Sequence, residues 1–243
     1  MIQLIRKACP AMLTVLWILA FSLTQSPWAG ALSAAAAVQT VGKGISAGIT
    51  VKASGDFTYT TSGGAATITG YTGNATNLII PSAIDGLPVV AIGNAAFERK
   101  NLLSVSVPGS VKVIGDNAFS SCEDMASVTL SSGLEKIGYR AFSYNEALKG
   151  IIIPGTVKEV AEWAFFRCDS MESVVLYNGL ETIGDYAFFY DKALKQVSIP
   201  GTVKDIGEKA FSDCSAVTAV TLASGIERIG ESAFAGCTAL TSI

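Results

Sequence analysis

The chain has 243 residues, 17 of them basic and 20 acidic, for a net charge of −3, and it contains no histidine. With no basic run, that balance argues against a nucleic-acid partner. The missing histidine removes Ser-His-Asp and Cys-His nucleophile arrangements and the commonest metal ligand.

The first residues read as an export signal. Arg6 and Lys7 form a short positive region, Ala11 to Leu23 is an apolar run broken only by Thr14 and Ser22, and Ala29-Gly30-Ala31 supplies an A-x-A pattern. Residues 1–31 are therefore expected to be a secretory signal peptide, with an apolar run short for a membrane span. An uncleaved anchor is the alternative, and a second small-residue cut lies in Ala34–Ala37. Loss of Arg6 and Lys7 leaves 15 basic against 20 acidic residues, a net −5 for the mature chain. Residues 32–54, rich in Ala, Gly and Ser, are expected to be a flexible lead-in. No segment after residue 40 reads as a membrane span. Residues 55–91 alternate like strands and include an Asp85-Gly86 turn; they predict a β-rich cap, a hairpin leading into an extended first repeat.

From residue 92 to 243 the sequence repeats. An I-G-x-x-A-F unit occurs at Ile92–Phe97, Ile114–Phe119, Ile137–Phe142, Ile183–Phe188, Ile206–Phe211 and Ile229–Phe234, with the variant Val160-Ala161 to Ala164-Phe165 in the gap. The phenylalanines are spaced by 22 and then by 23 residues five times. A β-branched V-x-I segment follows each one, as in Leu102/Val105/Val107 or Leu148/Ile151/Ile153, and its alternation predicts a short strand. Turns follow the strands. Pro108-Gly109, Pro154-Gly155 and Pro200-Gly201 alternate with Ser132-Gly133, Asn178-Gly179 and Ser224-Gly225, giving a 46-residue super-repeat. The last copy is incomplete at Leu240 and Ile243.

So short a unit cannot bury its apolar face alone, and stacking makes one continuous core. The expectation is a repeat solenoid, a right-handed superhelix with a ladder of parallel strands. The glycine after the isoleucine reads as a tight bend, and the alanine before the phenylalanine as a crowded interior position.

The string I-P…V…I-G-x-x-A-F-x-x-C-x-x-L-x-x-V-x-L, repeated at 23 residues over about residues 77–243, resembles the BspA-like, or Treponema-type, bacterial leucine-rich repeat family. The resemblance implies a leucine-rich-repeat-like fold and a role in adherence, including to matrix proteins such as fibronectin. Cys122, Cys168, Cys214 and Cys237 all fall three residues after the repeat phenylalanine, with Asn145 and Asp191 in the same slot, which in leucine-rich repeats caps backbone groups. Stacked strands lie about 4.8 Å apart. Cysteines two turns apart are thus beyond the roughly 7 Å reach of a disulfide, whereas Cys214 and Cys237, one turn apart, could just meet. A zinc site would need clustered ligands, and these are spread along the array.

No catalytic constellation emerges. Gly42-Lys43-Gly44 lacks the spacing of a phosphate loop. Asp116, Asp185, Glu208 and Glu231 share one repeat position and read as a solvated ridge. The chain is expected to be non-enzymatic, without cofactor or metal.

Function in a repeat array resides in its variable positions. Around the Ala-Phe pair, outer units carry small or polar residues, whereas central ones carry Tyr139, Tyr144, Trp163, Phe166, Tyr186, Phe189 and Tyr190, with Arg140 and Arg167 at the edge. Such an aromatic and arginine stripe suits a protein interface. The alternative is that several rings turn inward and widen the core. Ile152, Val175 and Tyr177, where other units have Ser or Thr, predict a second patch on the strand face, or simple ladder packing. The sequence thus points to a secreted or cell-surface binding protein whose partner is an extracellular or host-surface protein, with no membrane span after signal removal. The competing reading is a carbohydrate-binding or scaffolding region of a larger exported protein.

Overall fold

A computed structural model describes residues 50–243. The expected signal peptide and most of the lead-in lie outside the described residues. Those described form strands and turns, with no helix among them.

Three antiparallel strands, β1 (Lys52–Ser54), β2 (Phe57–Ser62) and β3 (Ala65–Tyr71), make the cap. Strand β1 lies inside the segment read as a flexible lead-in, so the cap starts at Lys52 rather than at 55. The extra pairing with β2 fixes those residues. Next come β4 (Asn77–Ile79), β5 (Ala83–Ile84) and β6 (Leu87–Ile92). Asp85 and Gly86 both have positive φ, 50° and 79°, in the tight turn between β5 and β6. Asp85 also fastens the cap to the array, accepting hydrogen bonds from Ser54 Oγ at 2.7 Å and Tyr59 Oη at 2.6 Å.

Each later turn contributes a four-residue and a two-residue strand. The long ones are β7 (Ser104–Val107), β9 (Ser127–Leu130), β11 (Gly150–Ile153), β13 (Ser173–Leu176), β15 (Gln196–Ile199) and β17 (Ala219–Leu222). The short ones are β8 (Val113–Ile114), β10 (Lys136–Ile137), β12 (Glu159–Val160), β14 (Thr182–Ile183), β16 (Asp205–Ile206) and β18 (Arg228–Ile229). The short strands pair in parallel without a break from β6 to β18, and β3 joins them to the cap. This second ladder was not expected from sequence. Its glycines, such as Gly138, lie outside the left-handed region. They are small because the backbone of the preceding turn passes close by, not because the chain bends tightly.

The long-strand ladder is interrupted. It pairs β4 with β7 and β7 with β9, then β11 with β13, and β15 with β17. Just past the paired strands, Ser131, Tyr177 and Ala223 donate their N–H to Val107, Ile153 and Ile199. By the same register, residues 154 and 200 would donate to Leu130 and Leu176, but both are proline and have no N–H. Pro154 and Pro200 thus break this ladder after β9 and after β13, leaving β11–β13 and β15–β17 as two-strand modules. Across the same interfaces, Thr156 and Thr202 accept hydrogen bonds from Gly133 and Gly179 N–H through their hydroxyls, at 3.0 and 2.9 Å.

Within a module the glycines approach each other. Gly179 has φ +119°, and a Cβ there would run into the Gly155 carbonyl oxygen. We expect Gly179→Ala to lower stability by about 2 kcal/mol, from strained backbone and a forced separation of the two turns. Urea denaturation measures this, and an unchanged midpoint would show that the contact relaxes without cost.

The core is a column. Seven phenylalanines, from Phe97 to Phe234, stack with centroids 5.0 to 5.4 Å apart and planes within 6°. Beside them runs the capping slot. The thiols of Cys122, Cys168, Cys214 and Cys237 are free and buried, and each donates to the carbonyl of a repeat phenylalanine one turn earlier, at 3.1 to 3.4 Å. Cys214 and Cys237 are therefore engaged separately. Burial pushes the Cys122 and Cys237 thiols up to about 11, so they stay protonated donors. Asn145 does more: its Nδ2 donates to the Phe119 and Phe142 carbonyls, and its Oδ1 accepts from Cys122 N–H.

Candidate functional site: an aromatic and arginine stripe

The stripe grows out of the arc that follows each short strand. Two residues per arc, four apart, adopt the left-handed conformation. The first series is Ala95, Asn117, Arg140, Trp163, Tyr186, Lys209 and Ser232; the second is Arg99, Ser121, Tyr144, Arg167, Tyr190, Asp213 and Gly236. Both series send their N–H to the next turn, as in Trp163 to Asp185 and Tyr144 to Phe166, apart from the terminal Ser232 and Gly236. The geometry favours Asn or Gly, which appear at Asn117 and Gly236. The central turns place bulky side chains there instead, at a backbone cost of roughly 1 kcal/mol or more each.

Those side chains form two rows. In the first, Trp163 and Tyr186 stack at 4.2 Å with planes 2° apart, Arg140 lies 5.5 Å from the Trp163 ring and 5.0 Å from Tyr139, and Lys209 lies 5.2 Å from Tyr186. In the second, Arg167 sits between Tyr144 and Tyr190, 5.9 and 5.6 Å from the ring centres, and Lys192 covers Tyr190 at 4.2 Å. Phe166 and Phe189 bridge the rows. They stack on each other at 5.6 Å and meet Trp163, Tyr186 and Tyr144 edge-on at 4.9 to 6.0 Å. The seven aromatic residues and the two arginines are half-buried. They lie over the phenylalanine column and are not part of it.

Polar contacts fix the rings. Trp163 Nε1 donates to Glu162 at 2.6 Å, and Tyr186 Oη donates to Glu208 at 2.9 Å. The Tyr186 hydroxyl and the Lys209 ammonium together hold the Glu208 carboxyl below its usual range. The supposed acidic ridge is partly structural. Asp116 and Asp185 accept hydrogen bonds from Tyr139 and Glu208 N–H in the following turn, at 3.0 and 2.6 Å, so these two carboxylates tie neighbouring arcs together.

The second predicted group lies on the long-strand ladder, away from the arc. Ile152 and Val175 are register partners, exposed by 54% and 42%, and Tyr177 is 54% exposed. Ile79, at 77%, and Leu103, at 47%, are exposed near the N-terminal end of the same ladder and were missed. The alternation of Asn77-Leu78-Ile79, with Leu78 buried, carried that signal. On the short-strand face, exposed pairs such as Lys136 with Glu159 at 3.0 Å and Lys158 with Glu181 at 2.9 Å join neighbouring turns. Exposed pairs of this kind contribute little stability.

Comparison with known proteins agrees with this architecture. The chain is similar to a leucine rich cell surface protein from Faecalibacterium prausnitzii A2-165, with 31% identity and a TM-score of 0.56 over 73% of this chain and 55% of that one. It therefore spans only about half of that chain. It is also similar to the leucine rich repeat protein of T. pallidum, with 30% identity and a TM-score of 0.59 over 79% of this chain and 80% of that one. The pneumococcal vaccine antigen PcpA shares the fold, with a TM-score of 0.61 at 19% identity over 72% of this chain and 50% of that one. No curated protein sequence matches this chain. The BspA type Leucine rich repeat region matches in six copies, over residues 90–218 and 182–243, and the chain belongs to that family of repeat proteins.

Proposed function

We propose that the chain is an exported, secreted or cell-surface adhesion protein that engages an extracellular or host-surface protein through the aromatic and arginine stripe. The single observation that carries this reading is the placement of Tyr144, Trp163, Tyr186 and Tyr190 at left-handed positions that suit Asn or Gly. The fold does not need rings there, because the outer turns do without them. A half-exposed cluster of Trp, Tyr and Arg is the composition of an interface centre. The expected export signal and the similarity to a cell surface protein support the location. Ile152, Val175 and Tyr177 offer a second contact area on the strand face. Stacking and cations take the faces of Trp163 and Tyr186 and leave their edges for a partner. Edges suit protein side chains better than sugar rings, which favours a protein over a glycan.

The test is binding of the chain to a panel of matrix proteins and glycans, beside a Trp163→Asn/Phe166→Ser/Phe189→Ser variant. Asparagine suits the left-handed backbone, and serine occupies the slot of Phe166 in other turns, at Ser120, Ser143 and Ser212. The variant should therefore remain folded by circular dichroism. A matrix protein should bind, with about a hundredfold loss in the variant, as expected when a hot spot is removed. Unchanged binding by the variant, or binding to glycans alone, would overturn the reading.

A further inference from the structure

We infer that the stripe recognises a carboxylate side chain held between apolar residues on an extended protein segment, with Arg140 and Arg167 as the forks that receive it; this rests on the function proposed above. Of the four arginines among the described residues, Arg99, Arg167 and Arg228 each lie within 4 Å of a carboxylate and Arg140 does not. The Nε atoms of Arg140 and Arg167 are both enclosed and lack an acceptor; for Arg167 the nearest carboxylate oxygen, on Asp169, is 3.8 Å away. Each guanidinium is flanked by two aromatic rings. A cation covered on its faces can bond strongly only in its own plane, and with Nε enclosed the donors left for a ligand are the terminal N–H groups. The group that matches a planar fork is a carboxylate, bound by two parallel hydrogen bonds. The surrounding rings lower the local dielectric and strengthen such a pair.

The surroundings select further. Phe166 and Phe189 present apolar edges between the two arginines, which suits apolar residues beside the carboxylate. Beside the first row lie Glu162, Asp185 and Glu208, one turn apart, with Glu162 held by Trp163 and Glu208 by Tyr186. With Asp169, these carboxylates offset the cations of the stripe, Lys192 and Lys209 included, so no net positive field draws a dense polyanion such as a sulfated glycan, while a single carboxylate can still pair with one arginine. Charge and shape together favour an alternating apolar and acidic peptide.

The experiment measures binding of the chain to a blocked peptide of alternating leucine and glutamate, to the same peptide with glutamine, and to heparin. The glutamate peptide should bind about tenfold tighter than the glutamine peptide at low salt, and heparin should not compete. Arg140→Gln/Arg167→Gln should bring the two peptides level. Arg140→Lys/Arg167→Lys, which keeps the charge and loses the fork, should restore at most a small part of the preference. Equal binding of the two peptides, binding of neither, a preference that survives the glutamine variants, or effective competition by heparin would each overturn the inference. If the Trp163→Asn/Phe166→Ser/Phe189→Ser variant loses a matrix protein that the arginine variants still hold, the adhesion reading stands and this one falls.

Discussion

Asp191→Asn should stabilise the array at neutral pH and flatten its dependence on pH. Asp191 occupies the slot of Asn145 two turns on and is fully buried. Its Oδ1 accepts from Cys168 N–H at 2.8 Å, as Asn145 Oδ1 accepts from Cys122. The position of the Asn145 amide nitrogen is then taken by Asp191 Oδ2, which has no partner. Asn145 Nδ2 donates to the phenylalanine carbonyls of its own turn and the one before, which for Asp191 are those of Phe188 and Phe165. An ionised carboxylate would set a negative oxygen against two carbonyl oxygens, whereas a protonated one can donate like the amide. Burial drives the Asp191 carboxyl well above its ordinary range, the Cys168 N–H opposes this, and the nearby charge of Asp169 adds to it. The other titratable groups packed nearby, the Cys168 and Cys214 thiols, are themselves pushed well up and remain neutral. In the unfolded chain the carboxyl titrates near its usual value of about 3.9. The folded pKa being higher, the stabilising effect is complete below about pH 4 and is lost as pH rises toward the folded value. Over that interval the folded state holds one more proton, so stability falls by about 1.4 kcal/mol per pH unit. Asparagine replaces the proton with a permanent donor, and Asp191→Asn should gain about 1–3 kcal/mol at pH 7. Urea midpoints from pH 4 to pH 8 decide it. A wild-type midpoint that does not fall with pH, or a variant less stable than wild type at pH 7, would show that Asp191 is not held as the neutral acid.

The period of 23 and the β-branched V-x-I triplets made the solenoid and its long strands legible in the sequence, because packing repeats with the residues that cause it. The short-strand ladder was hidden: two residues are too few for alternation, and the glycine beside them resembles a turn signal. The ladder break at Pro154 and Pro200 was half visible. The sequence marked the alternation, but only the register shows which carbonyl each missing N–H leaves unpaired. For the stripe, residue types pointed to the turns in which the aromatic rings gather. Sequence could not decide between rings outside and rings inside, because that depends on the left-handed backbone at Arg140, Trp163, Tyr186 and their equivalents. Asn117 and Gly236 in those slots were the available clue. Ile79 and Leu103 were hard to read because each is a lone exposed aliphatic residue in the first turns, with no neighbouring aromatic residues to mark a patch.

Phe165→Ala should do more than lower stability; it should divide the unfolding transition. The Phe165 ring is fully buried between Phe142 at 5.3 Å and Phe188 at 5.2 Å. Its removal leaves a cavity and two unstacked neighbours, at a cost of roughly 3–5 kcal/mol. In a solenoid that cost falls on nearest-neighbour coupling, because each turn touches only the turns beside it. Phe165 belongs to the module of β11 and β13, whose long strands are unpaired with β9 on one side and β15 on the other. Across those breaks the turns stay linked by the phenylalanine column, the arc hydrogen bonds and the short-strand ladder, and the substitution weakens the first. The cap with the turns of Phe97, Phe119 and Phe142 should then unfold separately from the turns of Phe188, Phe211 and Phe234. Amide exchange should rise first between Gly150 and Leu176. Phe234→Ala is the control, since that ring has one stacked phenylalanine neighbour at 5.4 Å and should cost less without splitting the transition. A single sharp transition for both variants, with equal losses, would mean that the short-strand ladder and the arc hydrogen bonds couple the turns without the column.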